Sequence, residues 1–277
     1  MRATVRGARV GVHDRFRAYL QSDGVSAPAP PLIAPDHGLW RRIVDEVRWS
    51  FAPPRYWLEG VGANVVLSLL YLLIAPLAGS TTHRHGLVVL VGTYFATFIL
   101  ADVTTTNVLG LDAERVRSSM AGGMSLRRIL LTKNLALLVI VGLPTLILTA
   151  IFTVADQSWK ALGVTLPDMV LPILAWLGVG NCLSVLLAVE TRTLVRRWRE
   201  RFSWRTVLWI FHLTLPYGLY YLVAPIDGTQ REVLFRLGRH VSPYARSGLH
   251  SLVGLAVWIV GTVLALLIVR YRGLWVY

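Results

Sequence analysis

Apolar residues run in six long stretches, at about 61–78, 87–106, 129–154, 169–189, 206–225 and 249–269. Each is near the ~20 residues a helix needs to cross a hydrocarbon core of ~30 Å. None shows the two-residue alternation of a membrane barrel, so the stretches predict helices. The first is the shortest and carries Glu59 and Asn64 near its start. The longest polar interruption in the apolar middle is 107–134, NVLGLDAERVRSSMAGGMSLRRILLTKN. Asp112, Glu114, Arg115 and Arg117 stand close together there, a grouping that presents charge to water. ERVRSSM predicts about two helical turns lying across the membrane surface. MAGGM breaks them, because glycine costs about 1 kcal/mol in a helix interior. Ser125 then caps the next helix, with Arg127 and Arg128 at headgroup level. The expectation is a handle through which a soluble partner moves the flanking helices.

Ahead of the first span, Leu39, Trp40, Ile43, Val44, Val47 and Phe51 recur at helical spacing, and Arg41, Arg42, Asp45, Glu46 and Arg48 fall on the other side. This predicts an amphipathic helix over 36–52, capped by Asp36 and closed by Pro53 and Pro54. Trp40 and Trp49 place it in the headgroup layer. Residues 1–35 are Arg-rich and then Pro/Ala-rich, the composition of a mobile tail. No apolar h-region precedes a cleavage-like site.

Polar residues inside the spans are the next signal. Asp102 lies near the end of the second, followed by Thr104, Thr105, Thr106 and Asn107, and could pair with Arg127 or Lys133. Pro144, Pro172 and Pro216 mark kinks in the third, fourth and fifth. Asn181, Cys182, Ser184 and Glu190 give the fourth a polar tail, which leads into a basic loop with Trp198, Phe202 and Trp204. The fifth mixes His212, Thr214, Tyr217, Tyr220 and Tyr221 with apolar bodies, as a helix facing a cavity or a partner would. Thr97, Asp102, His212, Tyr217 and Tyr220 are the candidate lining of a translocation path; a buried, satisfied histidine is the commoner fate of a residue like His212. Residues 226–248 are semi-apolar, with Val233, Leu234, Leu237 and Val241 spaced for a short helix and Ser242–Pro243 for a turn. They predict a re-entrant extracytoplasmic loop, its arginines snorkelling.

Composition agrees with the pattern. The 277 residues are 55% hydrophobic and only 16% charged, too little charge to cover a soluble domain of this size. With both termini cytoplasmic, 22 of the 28 basic residues fall on the inside, so the positive-inside rule sets the orientation. The net charge of +13 is thereby assigned to anionic headgroups, and no recognition motif calls for nucleic acid. Cys182 is the lone cysteine, which rules out a disulfide or multi-cysteine zinc site within one chain. His83 and His85 form an HxH with no carboxylate beside it, so no metal site is assigned. No catalytic set is legible either. Asp102, Asn107 and Asp112 are five apart and do not share a helical face, while Glu59 and Glu190 are isolated.

Six spans, an amphipathic helix before the first, a polar loop between the second and third and partly inserted helices before the sixth form an ensemble. It resembles the permease subunit of type-2 ATP-binding-cassette exporters. The local match is Asn107-Val-Leu-Gly-Leu-Asp112, then Gly122-Gly-Met-Ser-Leu-Arg127, continuing to Lys133-Asn134. The resemblance implies an all-α membrane protein with a transmembrane domain over 57–270, a cytoplasmic coupling region at 107–128 and a cytoplasmic end at 271–277. Asp112, Glu114, Arg115, Arg117, Ser118 and Met120 would form the helix seated in a groove of the ATPase. Trp40, Arg41, Arg42, Ile43 and Val47 would belong to the connecting helix beside it. No GxxxxGK[ST] occurs in the chain, so ATP and Mg would be held by a separate ATPase subunit. The implied partners are that subunit, a second permease copy or a sister permease, and membrane lipids. The implied location is the plasma membrane, and the implied cargo an amphipathic, lipid-like or drug-like molecule. A non-transporting anchor or assembly protein would share this layout, and an intramembrane lipid-processing enzyme is a further alternative.

Overall fold

A computed structural model of the chain describes residues 38–52, 106–190, 203–208, 210–212 and 242–274. Among them every regular element is helical. Helix α1 spans Leu39–Phe51 and α2 Ala113–Ala121. Helix α3, Leu126–Leu137, runs through a π-helical segment, Leu138–Gly142, into α4, Leu143–Asp156. A 3-10 turn, Trp159–Ala161, opens α5, Leu162–Leu186; α6 is Pro243–Arg272. Among the described residues, three helical runs are long and apolar enough to cross a membrane: Leu126–Ala155, Trp159–Leu186 and Pro243–Arg272. They correspond to the third, fourth and sixth expected spans. The first two spans, the re-entrant helix around Val233, Thr97, Asp102, Tyr217, Tyr220 and the HxH pair lie outside the described residues.

The faces of α4 identify the surrounding solvent. Leu143, Ile147, Leu148, Ile151, Phe152 and Val154 are exposed, whereas Thr145, Thr149 and Thr153, one turn apart, are buried. Apolar side chains outward and hydroxyls inward is the arrangement a hydrocarbon surround selects. The π-helical segment answers to Pro144. Its ring would collide with the carbonyl four residues back, and a locally widened turn takes up the misfit.

Some boundaries differ from expectation. Helix α1, expected from Asp36, begins at Leu39 with Gly38 at its N-cap and no side-chain cap. The fourth span starts at Leu162, well before the predicted 169, with Pro167 and Pro172 both inside the helix. Residues 243–248, read as part of the re-entrant loop, are instead the first turns of α6. Ser242 caps that helix, its hydroxyl accepting from Ala245 N at 3.2 Å, and Pro243 fills the first position, where no amide proton is needed. Ser-Pro here starts a helix instead of turning one. At the other break the expectation holds. Helix α2 ends at Ala121, and Gly123 takes φ +90°, a left-handed conformation that glycine accepts without strain.

Helices α5 and α6 make the closest packing. A Cβ on Gly254 would lie 2.9 Å from Leu171 Cα, and one on Gly178 2.8 Å from Trp258 Cα; Gly261 sits directly on the Gly178 carbonyl. Small residues let the backbones approach, and polar side chains bond across the seam. Asn181 Nδ2 donates to Thr262 Oγ1 at 2.9 Å, Cys182 Sγ to Gly261 O at 3.1 Å and Ser251 Oγ to Pro167 O at 2.8 Å. A second core gathers Val108, Leu109, Val116, Met124, Leu126, Ile129 and Leu130 with Val185 and Ala265, and Met120, Val269 and Leu274 pack against it. The polar loop is therefore part of the fold, seated on the ends of α3, α5 and α6.

Candidate functional site

At this end of the bundle, four ionised side chains from three elements close a ring. Glu46 comes from α1, Asp112 from the residue capping α2, Arg115 from α2 and Lys133 from α3. Arg115 Nη1 donates to Glu46 Oε2 at 2.5 Å and to Asp112 Oδ2 at 3.2 Å. Lys133 Nζ donates to Glu46 Oε1 at 2.9 Å and to both Asp112 oxygens at 2.8 Å. Each acid thus bridges both bases and each base both acids. All four side chains are below a tenth exposed. The Trp49 ring covers the guanidinium, its centroid 5.0 Å from Arg115 Cζ.

Burial of this depth is tolerable because formal charge cancels within the ring and every carboxylate oxygen is bonded. Burial alone pushes the Glu46 carboxyl up. Lys133 and Arg115 outweigh that effect and hold it below the usual carboxylate range. The ring joins α1, α2 and α3, so a displacement of α2 would be carried to the other two.

A second fastening joins the same loop to the end of α5. Asn107 Nδ2 donates to Val189 O at 2.7 Å, and Val189 N donates to Asn107 Oδ1 at 2.9 Å. The side-chain amide thereby imitates a strand partner for one residue. Gly110 packs against the same backbone, where any Cβ would overlap Val189 O. His212 Nε2 lies 2.8 Å from Leu187 O, and the ring is fully buried. The ring thus packs on the end of α5, with Nδ1 buried and without a partner among the described residues.

The six residues expected to couple to an ATPase divide. Asp112 and Arg115 face inward, into the ring, and Met120 packs half-buried on the loop core. Glu114, Arg117 and Ser118 are exposed, continuous along the chain with exposed Ala121, Gly122, Gly123, Ser125, Arg127 and Arg128. In α1, Trp40 and Arg41 are exposed, Arg42 and Val47 half-buried and Ile43 buried. One placement on α1 corrects the sequence reading. Glu46, expected on the solvated side, is buried. Residue 46 follows Ile43 by one turn and so shares its face, a position the ring makes tenable. Ser125 begins α3, but through its backbone carbonyl, which accepts from Ile129 N at 3.2 Å, and not through its hydroxyl.

Pattern reading offers Lys133 to Asp102 and puts Glu46 on the solvated side of α1, and so misses that the two pair with each other. The available signal was a lysine inside an apolar run, which calls for an acid from another element. No protein-family model, curated protein or solved structure matches the chain.

Proposed function

We propose that this chain is the membrane-spanning subunit of an ATP-driven exporter, pairing with a separate ATPase subunit and with a second permease. In this reading it is a six-span plasma-membrane protein with both termini cytoplasmic, and its cargo is amphipathic or lipid-like. One observation carries the reading. The interfacial helix α1, the loop helix α2 and the base of α3 are fastened by the Glu46–Arg115–Asp112–Lys133 ring, while Glu114, Arg117 and Ser118 remain exposed beside it. A soluble motor gripping that exposed face would shift three elements as one block. A plain anchor has no use for such a linkage.

The division of residues sets the test. Reversing Glu114 and Arg117 together, in the chain co-expressed with the ATP-binding subunit it is captured with, is expected to abolish substrate-stimulated ATP hydrolysis. The chain's own melting temperature should stay where it was. Unchanged stimulation, or the absence of any ATP-binding subunit among the proteins captured, would sink the proposal.

A further inference from the structure

None of the three arginines of α1 belongs to the charge ring, and Arg42 is the one whose fork is partly buried. Arg42 lies a turn ahead of Glu46, but both Glu46 oxygens are already taken by Arg115 and Lys133. Its Nε and Nη1 are buried and have no hydrogen-bond partner among the described residues. Arg42 as a residue is half-buried, but two guanidinium nitrogens withdrawn from water without an acceptor carry a desolvation cost that a bound anion would relieve. The setting says which. Helix α1 also exposes Leu39, Trp40 (72%) and Phe51 together with Arg41 and Arg48, the mixture of apolar, aromatic and basic groups that seats a helix in the headgroup layer. The abundant anion at that depth is the lipid phosphate, whose oxygens match the guanidinium fork.

We infer that Arg42 is the centre of a binding site for the phosphodiester of an anionic phospholipid, which completes the charge balance of α1. The exposed arginines 41 and 48 contribute only diffuse attraction. This inference does not depend on the transport reading and is tested without an ATPase.

The full-length chain is placed in nanodiscs of phosphatidylcholine, with or without phosphatidylglycerol, and its thermal unfolding is followed. A lipid that binds the folded state alone raises the melting temperature. Phosphatidylglycerol is expected to raise that of the wild type and of Arg41→Gln by several degrees, and to leave Arg42→Gln unmoved. Arg42→Lys should keep part of the rise, because the charge remains and the fork is lost. Equal shifts in Arg42→Gln and the wild type overturn the site, as do equal losses in Arg41→Gln and Arg42→Gln. A rise of the same size from millimolar inorganic phosphate in pure phosphatidylcholine discs overturns the lipid assignment. Should Arg42→Gln not fold, native mass spectrometry of the wild type decides. Retention of phosphatidylglycerol over phosphatidylcholine through detergent purification supports the site, and equal retention refutes it.

Discussion

Lys133 sits seven residues after the start of α3, past Arg127 and Arg128 and where the apolar run begins, 5% exposed, with Glu46 and Asp112 both drawn to its ammonium. Replacing it by Met leaves two buried carboxylates facing one guanidinium. Breaking such a pair typically costs ~3–5 kcal/mol, more than the pair contributed, because an unmatched charge stays behind. Lys133→Met should therefore melt far below wild type, and Lys133→Met combined with Glu46→Gln should recover more than half of the loss. A double-mutant cycle on thermal unfolding measures that coupling, and simple additivity would refute the ring. The same residues set an acid limit. Because the Glu46 pKa is depressed, its contribution is present above the ordinary carboxylate value of about 4.3 and is lost as pH falls through the lower folded value. The gap in melting temperature between wild type and Glu46→Gln should stay level from pH 7 to about pH 5 and close only below about pH 4. A gap that closed between pH 7 and pH 5 would mean that Glu46 is not held down.

Elements were more legible than their attachments. The third and sixth helices, the break at Gly122–Gly123 and the amphipathic α1 follow from periodicity and from glycine, all properties of neighbouring residues. What pairs with Lys133, what Asn107 clasps and which way Arg115 turns depend on residues tens of positions away, which no local pattern encodes. The same logic separates the glycines of α6. Gly261 abuts the Gly178 carbonyl, whereas a Cβ on Gly248 would meet nothing within 4 Å. Gly261→Ala must push α5 and α6 apart and should lower the melting temperature by several degrees. Gly248→Ala removes a helix-interior glycine at no steric cost, worth about 1 kcal/mol toward greater stability. Similar melting temperatures for the two variants would show that the α5–α6 seam tolerates bulk.

At the scale of the whole molecule, contacts and not charge counts decide what shares a side. The ring holds α1 and α2 to the base of α3, Asn107 ties the loop to Val189 after α5, and Ala265 and Leu274 of the C-terminal region pack on the same core. The run Leu126–Ala155 extends about 45 Å away from that end at 1.5 Å per residue, so the 3-10 turn at Trp159–Ala161 belongs to the opposite surface. In a chain with Cys182→Ser, single cysteines at Ser118, Tyr271 (85% exposed) and Trp159 (70% exposed) make this measurable in intact cells. An impermeant thiol reagent should reach the cysteine at 159 directly and those at 118 and 271 only after the membrane is opened. Positions 118 and 271 reacting from different sides would contradict the packing around Ala265. If both react from outside and 159 does not, the fold stands and the cytosolic motor falls, because no ATPase could reach Glu114 and Arg117.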